Sequence, residues 1–364
     1  MSPTMPYPLP NPKQRSIALA LAAALLVVVA SLLVAACGSS SSDTASPAAS
    51  GAPTEMRIGY QLIPNGDLIV KDQGWLEDAL PGTTIKWIKF DSGADVNTAM
   101  IAGSIDVGLA GSSPVAAGLS QPMNIPYKVP WIYDVIGAAE SLAVKNDSGI
   151  TDFAGLVGKK VGTPFGSTAH YSLLAALELN NIDPTKVDII DLQPPDILAA
   201  WQRGDIDAGY VWNPTLAELK KDGTVLITSA ELAKQGRLTA DLSIVTNAFS
   251  DKYPEVMQTW LDQQDRAVKL YKSDPQAAAA AVGRQLNLTA DEALAQMKDL
   301  ILLDASEQAG ADYLGTPDAP GKLADNLESA AQFLKTQGSV QGVPALSAFQ
   351  AGLANQYVAK TAGK

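Results

Sequence analysis

Leu192 to Pro214 reads LQPPDILAAWQRGDIDAGYVWNP, and an earlier segment, Asn97 to Pro114, echoes it as NTAMIAGSIDVGLAGSSP. In both, an apolar-periodic run ends at a glycine, Gly103 or Gly204. Ile-Asp follows (Ile105-Asp106, Ile206-Asp207), then Gly108 or Gly209, an apolar pair, and a polar-Pro step at Ser113-Pro114 or Asn213-Pro214. Each copy predicts a helix, a glycine stop, a short buried strand and a second helix opened by a polar cap with proline in its first turn. The copies lie about a hundred residues apart, too far for a solenoid repeat. They predict equivalent places in two α/β lobes, each offering a strand end and a helix N-terminus to a cleft suited to a small anion.

The chain outside this pattern divides by composition. Lys13 and Arg15 precede an apolar run from Ser16 to Ala36, which ends in Val34-Ala35-Ala36-Cys37-Gly38. That order predicts an export signal over residues 1–36. Cys37 is the only cysteine, which excludes a disulfide framework and a thiolate metal cluster. Its position resembles a bacterial lipobox, in which the cysteine is cut free and acylated; a signal-anchor helix is the other reading, because the run is just long enough to span a bilayer. Residues 38–54 are mostly Ser, Ala, Gly and Pro with a single charge, so 37–54 reads as a flexible tether. The net charge of −12 becomes −14 without the two basic residues of the leader. An acidic surface argues against nucleic acid and against adhesion to anionic lipid.

About three hundred residues remain, enough for two cores. Met56–Tyr60 and Thr83–Phe90 predict strands, as do 124–133 and 135–144. Lys145 to Gly149 is the expected first crossing between lobes, and Leu242 to Thr246 the return. Beyond Tyr253 the pattern is helical, with apolar spacing suited to packing on the first lobe. The expectation is a mainly parallel α/β architecture, with lobe I at 55–145 plus 245–364 and lobe II at 146–244.

KFDSGA (Lys89–Ala94), GSSP (Gly111–Pro114), HYSLLAAL (His170–Leu177), LQPP (Leu192–Pro195) and AAWQRGDID (Ala199–Asp207) resemble the taurine-binding proteins of ABC importers, within the nitrate/sulfonate/taurine substrate-binding family. The similarity covers nearly the whole body and is densest from Thr163 to Pro214. It implies a type II periplasmic-binding-protein fold closing on a small sulfonate, without catalysis or cofactor. It also implies an ABC permease as partner and a monomer held by lipid at Cys37 on the outer face of the membrane. The sequence departs from the taurine pattern after Gln61, in LIPNGDLIVKDQGWLED, and again at Tyr127–Val135, YKVPWIYDV; both stretches are candidates to line the cleft. An alkanesulfonate, hypotaurine or a betaine is the alternative ligand.

A sulfonate spreads one charge over three oxygens and calls for several N–H donors rather than a base. Candidate donors sit at four capping stretches: Ser92-Gly93, Ser112-Ser113, Ser167-Thr168 and Asn213. Each can equally be an ordinary helix cap. The resemblance puts Asp241 where taurine binders hold the amine, and Glu140 matches a family carboxylate on the first hinge strand. The competing reading for both acids is a hinge salt bridge or an exposed face. Gln61 is placed to reach a ligand oxygen or line the rim, and Trp212 to pack the linker or face the ammonium. His170, the only histidine, reads as a structural residue of its capping turn that can also reach an anion. No histidine cluster exists for a metal or a triad. The same fold carries the synthase of the thiamine pyrimidine, but one cysteine, one histidine and an export signal oppose that chemistry.

Overall fold

The computed structural model describes residues 51–363, so the expected leader, Cys37 and most of the tether lie outside the described residues. Ten strands form two five-stranded sheets: β1 (Glu55–Tyr60), β2 (Thr84–Lys89), β3 (Val107–Gly111), β4 (Tyr127–Val135), β5 (Glu140–Lys145), β6 (Lys160–Thr163), β7 (Asp188–Asp191), β8 (Ala208–Trp212), β9 (Gly223–Thr228) and β10 (Ala240–Thr246). The first sheet has the order β2-β1-β3-β10-β4 and the second β7-β6-β8-β5-β9. The two orders are the same motif. In each, three parallel strands are followed by two that run antiparallel to their neighbours.

The repeated sequence segments occupy equivalent central places. β3 and β8 each follow a helix, Gly93–Ile101 and Pro194–Arg203, and each leads into another, Ser112–Gly118 and Thr215–Leu219. Gly204 ends its helix in the left-handed region, at φ 75°, where a side chain would be strained. The recurring aspartates serve the backbone. Asp106 Oδ2 accepts the Arg57 N–H at 2.9 Å, and Asp207 Oδ2 accepts that of Lys160 at 2.9 Å, so each ties the start of its own strand to the start of the parallel neighbour. No catalytic role attaches to them.

The crossings differ from expectation. Residues 135–144 do not form one strand: β4 ends at Val135, residues 136–139 cross, and β5 already pairs with β8 and β9 of the second sheet. Lys145 instead ends β5, and residues 146–149 form a turn after it, in which the Ser148 hydroxyl donates to the Lys145 carbonyl at 2.6 Å. Likewise β10 is a full strand of the first sheet, so the return precedes it. Apolar continuity marks a strand but carries no information about which sheet receives it.

One apolar core joins the first sheet to the helices that follow β10, including Pro254–Ser273 and Leu323–Thr336; two smaller clusters cover the faces of the second sheet. Helix Pro254–Ser273 buries Trp260 against Tyr133 in an edge-to-face contact at 6.1 Å. Among the described residues no helix is long and apolar enough to cross a membrane.

Candidate functional site

Between the sheets lies a cavity walled by Gln61, Ile63, Pro64, Gly93, Gly111, Pro114, Ile136, Ala139, Glu140, Ser167, Thr168, Trp212, Asn213, Asp241 and Leu300. About 400 Å³ of space lies between its wall atoms, open solvent at the mouth included, of which about 20 Å³ admits the centre of a water-sized sphere. Strand ends β1, β3 and β8 and the starts of helices Gly93–Ile101, Ser112–Gly118 and Thr168–Leu179 converge on it. The first N–H groups of a helix have no partner within it, so these starts present donors and a positive dipole end.

The sheets meet closely here. The Ser113 hydroxyl donates to the Ser167 carbonyl at 3.0 Å, both residues being buried. Gly111 has no room for a side chain, since a Cβ on it would lie 2.4 Å from Thr168 Cγ2.

Eight of the residues singled out in the sequence line this cavity: Gln61, Gly93, Glu140, Ser167, Thr168, Trp212, Asn213 and Asp241. Ser92, Ser112, Ser113 and His170 are not among its walls. Ser92 caps its helix, accepting from the Asp95 N–H and donating to the Asp95 carboxylate at 2.9 Å. Ser112 Oγ accepts the Ala240 N–H at 3.2 Å. His170 stacks on Phe165 with ring centroids 4.4 Å apart, and its Nδ1 accepts from the Gly166 N–H; burial lowers its pKa.

The lining hydroxyls are also committed to protein. Ser167 Oγ donates to the Pro164 carbonyl at 2.6 Å and accepts the His170 N–H at 3.2 Å. Thr168 Oγ1 donates to Glu140 Oε2 at 2.5 Å. The expected hydroxyl donors are therefore taken by caps and carboxylates, and backbone N–H groups are what remains for an anion. Gln61 Nε2 donates to the Leu109 carbonyl at 3.0 Å. The Asn213 amide nitrogen faces Asp299, whereas its buried Oδ1 has no protein donor.

The acids form the other half of the site. Glu140, fully buried, accepts from Thr168, from Ser229 at 2.8 Å and from Ser172 at 3.3 Å. Burial nevertheless raises its pKa to about 7, the hydroxyls offsetting only part of the desolvation. Asp241, 5% exposed, faces the cavity from β10. Burial and the neighbouring Asp134 and Glu140 carboxyls push its pKa well up. No lysine or arginine forms an ion pair with Glu140 or Asp241 among the described residues, so neither acid is half of a hinge salt bridge. No cluster suited to a metal ion occurs among those residues either.

Asp134 was missed by sequence reasoning, although it carries the same signal as Glu140, an acid inside an apolar strand. It sits behind Asp241, held by Asn65 Nδ2 at 2.9 Å. Asn65 and Asp134 come from the two stretches that depart from the taurine pattern, and the fold brings them together. The apolar walls, Ile63, Pro64, Ile136 and Leu300, carry no sequence signal, because any apolar residue fits their local patterns.

Residues 49–285 match the model of the NMT1-like family. The taurine-binding periplasmic protein of Escherichia coli (strain K12) is 37% identical over 268 residues, which are 72% of this chain and 80% of that protein. The alkanesulfonate-binding protein SsuA from Xanthomonas axonopodis pv. citri, solved bound to MOPS, superposes with a TM-score of 0.68 at 20% identity, over 83% of this chain and 98% of the other. The periplasmic aliphatic sulphonate binding protein SsuA from Escherichia coli gives 0.64 at 24% identity, over 80% and 90%. These likenesses bear out the type II periplasmic-binding-protein fold expected from the sequence.

Proposed function

The chain belongs to the NMT1-like family of substrate-binding proteins, and on that premise we propose that it is the extracytoplasmic binding protein of an ABC importer, with taurine or a close aminosulfonate as ligand. It binds its solute and does not transform it. One observation carries the ligand reading: a single cavity joins converging helix N-termini to two buried carboxyls, Asp241 and Glu140, that no cationic side chain among the described residues neutralises.

That arrangement suits a ligand with an anion at one end and an N–H-bearing cation at the other. The sulfonate takes the backbone donors near Gly93, Gly111 and Thr168. The ammonium takes Asp241, with the Glu140 charge nearby, in charge-assisted hydrogen bonds of about 1.5–3 kcal/mol each. Trp212 packs the short linker. A plain alkanesulfonate leaves the carboxyls without a donor, and a quaternary betaine offers no N–H to them. Because the walls come from both sheets, ligand contacts favour the closed form, which the permease reads. Acylation at Cys37 holds the protein, a monomer, at the outer face of the membrane.

Titration calorimetry with taurine, hypotaurine, ethanesulfonate and glycine betaine tests the reading. Tight taurine with weak ethanesulfonate supports it. Tighter ethanesulfonate moves the protein to the alkanesulfonate branch, and absence of heat from any sulfonate overturns the ligand class. For the anchor, Cys37→Ser should release the protein from membranes or leave its leader uncut.

A further inference from the structure

Asp134 and Asp241 stand opposite each other on the adjacent antiparallel strands β4 and β10. Directly opposed residues of an antiparallel pair project to the same face of the sheet, with Cβ atoms about 4.5–5.5 Å apart. Asp134 is fully buried, and its Oδ1 receives no donor from the protein while Asn65 occupies Oδ2. Asp241 is the member of the pair that reaches the cavity. Two carboxylates so placed in a dry site cannot both carry charge unless a proton or a cation lies between or beside them. Among the described residues the surroundings supply no cation: Glu140 faces the pair from β5, Asp67 and the Tyr133 hydroxyl lie buried nearby, and no lysine, arginine or histidine of that set acts on either aspartate.

We propose that Asp134 and Asp241 work as one carboxyl pair that holds a single shared proton in the unliganded protein, and that the cationic end of the ligand expels this proton when it binds. The pair carries one negative charge before binding and two after it. The ligand brings one positive charge, and the proton leaves to solvent. Asp134 is thus a positioning residue: it does not line the cavity but keeps a proton on its partner until a cation replaces it. The same pair rejects neutral and purely anionic ligands, which cannot discharge it. Burial raises both pKa values, Glu140 adds to each and Asp134 adds to that of Asp241, in keeping with a proton retained near neutral pH.

The proposal rests on the aminosulfonate reading, and its tests are separable from that reading. In calorimetry with taurine in phosphate and in Tris, the heats should differ by the buffer ionisation of about one proton per site, with affinity rising up to about tenfold per pH unit toward neutrality. Asp134→Asn preserves shape and the bond from Asn65; it should still bind taurine, but with proton release near zero and a flat pH profile. Equal heats in the two buffers, or undiminished proton release in the variant, would overturn the proposal. Failure of taurine to bind at all would overturn the ligand reading alone. The pair is then judged by carboxyl ¹³C NMR titration of the unliganded protein, in which coupled, elevated titration of Asp134 and Asp241 supports it and two ordinary carboxylate titrations refute it.

Discussion

The hydroxyl of Ser113, at the start of the helix after β3, donates to the carbonyl of Ser167, the cap of helix Thr168–Leu179, at 3.0 Å across the cleft. This bond ties the first lobe to the second beside the cavity, as does the one from the Asn213 amide to Asp299. Ser113→Ala removes the serine bond, while the Ser167 carbonyl keeps the Tyr171 N–H at 3.1 Å. Taurine affinity should fall about threefold to tenfold, about 0.7–1.4 kcal/mol, by calorimetry. An unchanged Kd would mean that this contact contributes nothing to closure.

Gly111→Ala tests the same approach by steric means. The backbone there, at φ −66° and ψ 161°, suits alanine, so each lobe should fold normally. The new methyl meets Thr168, whose side chain is held by Glu140 and cannot swing away freely. Overpacking of about 1–3 kcal/mol should weaken taurine by at least about fivefold and leave a more open particle in small-angle scattering. Wild-type affinity and dimensions would refute so close an approach.

Asp241→Ala separates the two ends of the ligand. It should weaken an aminosulfonate by at least about tenfold, roughly 1.4 kcal/mol, while sparing ethanesulfonate. Equal losses for both ligands would remove Asp241 from the amine end.

The buried acids also set how the unliganded protein responds to pH. Burial raises Asp67 and Glu140 to about 7, from 3.8 and 4.5, and pushes Asp134 and Asp241 up as well. The folded state then holds protons that the unfolded chain has released. Their contribution to stability is complete below about pH 4 and is lost as pH rises to 7 and beyond. Each group can contribute up to about 1.4 kcal/mol per pH unit within that window. His170, lowered by burial, opposes this with one group. Asp72 and Asp304 also oppose it, but at lower pH: despite burial, hydrogen bonds from Arg284 and Gln285, and from Lys272, hold them below 3.8. Scanning calorimetry of the unliganded protein should show Tm rising from pH 7.5 to 5 and falling below about pH 4. A Tm that drops between 7.5 and 5 would show that these acids are ionised when folded.

Much of this protein was determined by residue order alone. The echo of Asn97–Pro114 in Leu192–Pro214 marked two equivalent lobes, because helix stops, strand alternation and caps are local and survive without a partner. An acid inside an apolar strand, as at Glu140, marked a group that is costly to bury unpaired, and the family resemblance singled out Asp241. The destination of those strands was decided only in three dimensions: residues 136–139 carry the chain across, so that β5 joins the second sheet. Tertiary structure also decided that the Ser112, Ser113 and Thr168 hydroxyls answer to Ala240, Ser167 and Glu140, since a capping serine looks the same whether it faces ligand or protein. Asp134 met Asp241 for the same reason. Their pairing depends on the register of β4 against β10, strands separated by more than a hundred residues, and register is fixed by packing and not by neighbours in sequence.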